Sequence, residues 1–242
     1  MTVLILGSGS DIGEALAYKF AKEDNDIILA SRNPEKMKPL MSDIQIRFNV
    51  RVDNLEFDTL KTQTHAGFVK TLTSLPDVVI SVFGYLGDQE LAQSDFDEAS
   101  KIINTNFTGA VSILNLFAQA MEERNSGCII GISSVAGERG RQSNYFYGSA
   151  KAGFSAFLDG MRHRLIKSGV HVMTVKPGFM RTKMTEGLDL NPRLTAEPDY
   201  VAEKIFKAYN KKKNSLYVAP IWKWIMLIIR NIPERIFLKT KL

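Results

Sequence analysis

Val3-Leu4-Ile5-Leu6-Gly7-Ser8-Gly9-Ser10-Asp11-Ile12-Gly13 opens the chain after only two residues. Four consecutive apolar residues are too few for a buried helix and suit a strand covered on both faces. The glycines that follow make a sharp turn, and Ile12 starts a helical apolar period. Gly7, Gly9 and Gly13 give the spacing G-x-G-x-x-x-G. Glycines in a strand-to-helix turn let the backbone approach a pyrophosphate, and the helix N-terminus offers unpaired N–H groups and a positive dipole end. A tight turn with no ligand would use the same glycines. The placement between a first strand and a first helix favours phosphate binding by Gly7, Ser8, Gly9, Ser10, Asp11, Ile12 and Gly13.

The same alternation continues along the chain. Short β-type runs fall at 3–6, 27–30, 51–57, 78–83, 128–133, 171–176 and 216–218, with helical patterns at 12–22, 34–48, 59–72, 96–124, 145–167 and 198–210. Repeated βα units imply right-handed crossovers, so the expected fold is α/β: a doubly wound parallel sheet of about seven strands with helices on both faces. No linker, repeat or low-complexity run divides the chain. The expectation is a single domain over 1–219 and a basic-apolar extension over 220–242.

Hydrophobic residues make up 45% of the 242 positions and charged residues 24%, ordinary for a soluble protein. The single cysteine, Cys128, excludes an intramolecular disulfide, and in an apolar run it reads as a buried inert thiol. The N-terminus has no basic n-region and reads as a strand, which makes a cytoplasmic setting the default. His65, His163 and His171 are scattered without ligand-spaced partners, so no metal is expected, and no nucleic-acid partner either. Charge is uneven. From residue 204 onward there are ten Lys and Arg against one acid, a balance of +9, which leaves −4 for the preceding 203 residues of a chain whose net charge is +5.

After the second strand comes Ser31-Arg32, where an acid would bond a ribose 2′-hydroxyl and a base would accommodate a 2′-phosphate. Arg32 therefore favours NADP(H) over NAD(H). Asp58, after the third strand, could accept from an adenine amino group or cap a helix beginning at Thr59. Further on, Tyr147-Gly148-Ser149-Ala150-Lys151 puts a phenol and an ammonium on one helix face. The cation would favour phenolate and make Tyr147 a usable proton donor and acceptor. Ser134, thirteen residues upstream, could hold a substrate carbonyl.

These motifs together resemble the short-chain dehydrogenase/reductase family over nearly the whole chain. The family's glycine motif corresponds to 6–13, its NNAG segment to Ser81-Val82-Phe83-Gly84, and its helical asparagine to Asn106. Its serine falls on Ser134, its Tyr and Lys on Tyr147 and Lys151, and its PG motif on Pro177-Gly178 with a following Thr182. Tyr145 has Ser149 in place of the lysine, and the family spacing selects Ser134 over Ser133. The resemblance implies Tyr147 as general acid in reduction, Lys151 lowering its pKa and holding the nicotinamide ribose, and Ser134 orienting the carbonyl. Asn106 would support a water-linked proton path, and Gly84, Pro177, Gly178 and Thr182 would contact the cofactor. It also implies a homodimer or homotetramer. Two departures stand out: Asp11 replaces the family's middle glycine, where its carboxylate would repel a pyrophosphate unless it turned outward or capped the helix, and Ser81-Val82-Phe83 replaces Asn-Asn-Ala.

The tail Pro220-Ile221-Trp222-Lys223-Trp224-Ile225-Met226-Leu227-Ile228-Ile229-Arg230 is apolar, yet its uninterrupted run 224–229 is six residues, far short of the ~20 that span a bilayer. Tryptophans, isoleucines and scattered cations fit a segment lying in the interface of an anionic membrane. Packing over a substrate cleft or against another subunit is the alternative. With Tyr85-Leu86-Gly87-Asp88-Gln89, the tail is similar to that of reductases of polyprenyl-phosphoryl 2-keto-pentoses. Three functions are open at this level: reduction of a lipid-linked or otherwise apolar ketone beside a membrane, soluble reduction of a 3-oxoacyl group or small ketone, or nucleotide-dependent regulation without turnover.

Overall fold

The apolar runs form one parallel sheet in the computed structural model, which describes residues 1–240; the last two residues of the 220–242 extension lie outside the described residues. In chain order the elements are β1 (Thr2–Leu6), α1 (Asp11–Ala21), β2 (Asp26–Ser31), α2 (Lys38–Phe48), β3 (Val52–Glu56), α3 (His65–Thr71), β4 (Val78–Ser81), α4 (Gln89–Ser94), α5 (Phe96–Ile103), α6 (Gly109–Arg124), β5 (Gly127–Ile132) and α7 (Tyr145–Leu165). They continue with β6 (Val170–Lys176), β7 (Phe179–Met180), β8 (Thr195–Ala196), α8 (Pro198–Asn210), β9 (Ser215–Tyr217), α9 (Ile221–Asn231) and α10 (Glu234–Phe237). The main sheet has the order β3-β2-β1-β4-β5-β6-β9, and β7 and β8 pair separately. The strand order reverses between β1 and β4, where open α/β sheets bind ligands at the carboxyl ends of their strands.

Side-chain alternation along β1 builds both cores. Val3 and Ile5 pack with Leu16 and Phe20 of α1 and Val201 and Ile205 of α8. Leu4 and Leu6 face the other way, toward Ile113 and Phe117 of α6 and Phe154 and Leu158 of α7.

Three helical expectations change. The 59–72 pattern becomes a turn, a 3-10 turn at Thr62–Thr64 and then α3, because Asp58 bonds the Leu60 N–H (3.0 Å) and closes a local turn. The 34–48 pattern begins with a 3-10 turn at Pro34–Met37 before α2. The 96–124 pattern is split by a π-type turn at Asn104–Thr108. There the Asn106 amide donates to Ile102 O, one turn back, at 2.9 Å. The tail is helical as well. Trp222, Met226 and Ile229 of α9 are buried against Val135, while Ile221, Trp224, Leu227 and Ile228 point outward. No helix among the described residues is long and apolar enough to cross a membrane.

Candidate active site

Asn106, Ser134, Tyr147 and Lys151 come from three segments, the turn Asn104–Thr108, the loop after β5 and α7, that meet at the carboxyl ends of β4 and β5. Ser134 follows β5, and its hydroxyl accepts from Ala136 N at 3.1 Å, which fixes the loop that carries it. Tyr147 and Lys151 share the first turns of α7, with the Lys151 ammonium 5.7 Å from the Tyr147 ring centroid. Lys151 is almost fully buried and donates to Ile132 O at 3.0 Å. The π-type turn aims Asn106 at the same region: its amide donates to Tyr85 O (2.6 Å) and its carbonyl accepts from Tyr85 N (3.3 Å). Such turns inside helices recur at functional sites. Gly84 completes the group, because a Cβ there would stand 3.1 Å from Asn106 Oδ1 and 3.6 Å from Lys151 Nζ.

Burial dominates the electrostatics here. It pushes the Tyr147 phenol up to about 12, while the neighbouring Ser134 hydroxyl pulls the other way. It brings the Lys151 ammonium down to about 8. The sequence predicts a phenol lowered by its lysine; in the folded protein desolvation raises it instead.

Beside these residues lies a cleft of about 540 Å³ walled by Gly7, Gly9, Ser10, Ser31, Arg32, Asp58 and Gly84, among the residues expected to bind a cofactor. Ser8 in the loop and Ile12 and Gly13 in the first turn of α1 are buried. Gly7 has φ +94°, and a Cβ on it would lie 2.7 Å from Phe83 N, so only glycine fits. Ser10 caps α1 by accepting from Gly13 N at 3.1 Å. The hydroxyls of Ser8, Ser31 and Thr59 are buried without a partner. Unsatisfied buried hydroxyls beside a glycine loop and a helix N-terminus fit a ligand rich in phosphate and hydroxyl groups.

Sequence reasoning missed several cleft residues: Lys36, Met37, Thr59, Tyr85, Lys101 and Met184. Lys36 lies four positions after Arg32, and that spacing could have found it. Both cations are exposed at the cleft. Phe83, at the family's alanine position, packs its ring against Phe57 at 5.8 Å and so lends the cleft an apolar wall. His65 bonds Ser112 and Asp58 O and stacks on Phe57, which makes it a structural residue.

Pro177-Gly178 follows β6, with Pro177 O accepting from Val135 N at 3.0 Å. Gly178 is overlaid by the Trp222 indole: a Cβ would come within 1.9 Å of it. Arg139, five residues after Ser134, donates to Ile229 O and to Ile232 O (2.7 Å) and lies 3.7 Å over the Phe237 ring. The tail is thereby fastened to the loop that carries Ser134. Thr182 and Asp11 front a second cavity of about 660 Å³ beside the cleft. Asp11 turns away from the phosphate loop and accepts from Lys183 N at 2.7 Å.

Comparison with known proteins gives this arrangement a family. The description "short chain dehydrogenase" fits a family whose model matches residues 1–192. An uncharacterized oxidoreductase of Mycobacterium tuberculosis is 32% identical over 235 residues, covering 96% of this chain and 94% of that one. Among solved structures, a short-chain dehydrogenase from Sphingobium yanoikuyae in complex with NADPH superposes with a TM-score of 0.83 at 21% identity, covering 96% of each chain. The bulky-bulky ketone specific alcohol dehydrogenase from Comamonas testosteroni gives 0.81 at 20% identity, covering 96% of this chain and 95% of that one. The chain belongs to the short-chain dehydrogenase/reductase family, oxidoreductases acting on CH–OH and C=O groups.

Proposed function

We propose that this protein is an NADPH-dependent reductase of an apolar or lipid-linked ketone, with Tyr147 as general acid. The observation that carries the reading is the meeting of half-buried Tyr147 and buried Lys151 with Ser134, Asn106 and Gly84. A regulator that only bound nucleotide would have no use for that proton relay. Bound NADPH supplies the hydride that makes the ketone carbon a secondary alcohol. Ser134 holds the carbonyl oxygen, and Tyr147 Oη gives it a proton as charge develops there. The Lys151 ammonium stabilises the resulting phenolate, and Asn106 supports the path by which the proton is restored. Arg32 and Lys36, exposed at the cleft end that includes Ser31, suit the 2′-phosphate that separates NADPH from NADH.

A membrane-side substrate is supported by α9 and α10. Ile221, Trp224, Leu227 and Ile228 are exposed on one side of α9, with Lys223, Arg230, Arg235 and Lys239 exposed around them. Apolar anchors ringed by cations suit the face of an anionic bilayer.

The chemistry is tested with Tyr147→Phe against 2-decanone, a 3-oxoacyl thioester and a lipid-linked keto-pentose. The expected outcome is a loss of at least ~100-fold in NADPH-dependent reduction with NADPH binding retained. Unchanged turnover would remove the mechanism. For docking, Trp224→Ser with Ile228→Ser is expected to abolish co-sedimentation with phosphatidylglycerol vesicles. Equal binding by the double variant, or its conversion from a dimer to a monomer, would assign that face to a subunit contact and favour the soluble 3-oxoacyl reading.

A further inference from the structure

Asp11 is an oddity of this chain, since a carboxylate stands where the family's loop has glycine, beside the place a pyrophosphate would occupy. It is the first residue of α1, and its side chain is about a quarter exposed. Its Oδ2 accepts from the backbone N–H of Lys183 at 2.7 Å, and its Oδ1 lies 3.7 Å from the Lys183 ammonium. This contact crosses 172 positions and joins the phosphate loop to the 3-10 turn Lys183–Thr185.

That turn is internally well tied. Thr182 and Thr185 form a reciprocal capping box, and the Thr185 hydroxyl also donates to Thr182 O at 3.0 Å. These bonds hold the turn together as one unit. Its middle residue, Met184, lines the nucleotide cleft, and its methyl lies 3.6 Å from where a Gly84 Cβ would stand, next to Lys151 Nζ. Asp11 thus bonds a turn whose methionine lines the cleft.

We propose that Asp11 is a positioning residue that latches the 183–185 turn across the nucleotide cleft, so that the cofactor leaves only after this bond opens. The inference rests on the NADPH reading and adds to it the step that governs release. A charge-assisted bond to a backbone N–H is strong enough that its loss is read as about a tenfold change in an opening equilibrium.

Three changes in the full-length protein test it. Asp11→Ala removes the acceptor. Asp11→Asn keeps an acceptor oxygen and removes the charge. Lys183→Pro removes the donor at the first position of a turn, where proline is tolerated. Amide exchange over residues 182–190 is measured in the cofactor-free protein, and NADPH release by stopped-flow fluorescence. Asp11→Ala and Lys183→Pro are expected to speed each by about tenfold. The double variant should be no faster than either single one, and Asp11→Asn should stay within about threefold of the unaltered protein. Wild-type exchange in Asp11→Ala, equal effects of Asn and Ala, or faster exchange without faster release would each overturn the latch. If NADPH does not bind the unaltered protein the proposed function fails, while the exchange arm still decides whether Asp11 holds the turn.

Discussion

Burial acts in opposite directions on the two groups that share the first turns of α7, and the rate should reveal it. Lys151, brought down to about 8, is an ammonium below that pH and neutral above it. Tyr147, pushed up to about 12, stays protonated throughout. Reductive kcat/KM is therefore expected to hold below about pH 8 and to fall as pH rises through it, as the charge that stabilises the phenolate is lost. A pH–rate profile checks this, and a profile flat to pH 10 would contradict it. The stability sign is separate. The unfolded chain keeps the lysine proton to higher pH, so burying Lys151 costs stability below about 8, and that cost fades as pH rises toward the ordinary lysine value. At Arg32, replacement by alanine is expected to raise the NADPH KM about tenfold and leave the NADH KM unchanged, read by steady-state titration of both cofactors. Tyr147 and Lys151 were legible in the sequence because their relation is local, four positions on one helix. The partner of Asp11 was not, because Lys183 is near it only after the chain has folded.

At the scale of elements, α9 is a brace rather than a loose appendage. Its Trp222 covers Gly178 and donates its indole N–H to Leu194 O at 3.2 Å. Gly178→Ala would force a methyl into the indole and is expected to cost about 1–3 kcal/mol in chemical denaturation. Trp222→Ala would leave a large void under the helix, for about 3–5 kcal/mol. Trp224→Ser, on the outward side, should leave the midpoint unchanged. Composition made both faces of this segment apolar and so gave no hint of which one packs inward. The break at Asn104–Thr108 was equally hidden, since the apolar period runs on through it. Just after it, Gly109 lies so close to the Thr59 backbone that no side chain fits there.

Across the whole molecule, the strands were the legible part, because a parallel sheet buried on both faces demands unbroken apolar runs. The βα alternation implied a doubly wound sheet but not the order of its strands, since the runs themselves carry no record of their neighbours. That order has a temporal consequence. β1 leaves the ribosome before the other strands of this sheet, yet it lies in the sheet's middle, between β2 and β4. One of its sides pairs as soon as residue 31 has emerged; the other waits until residues 78–81 have been made. At synthesis rates of about 5–20 residues per second, the nascent chain carries an open, strongly apolar edge for seconds. A strand at the centre of the finished sheet is thus exposed to aggregation while the chain is being made.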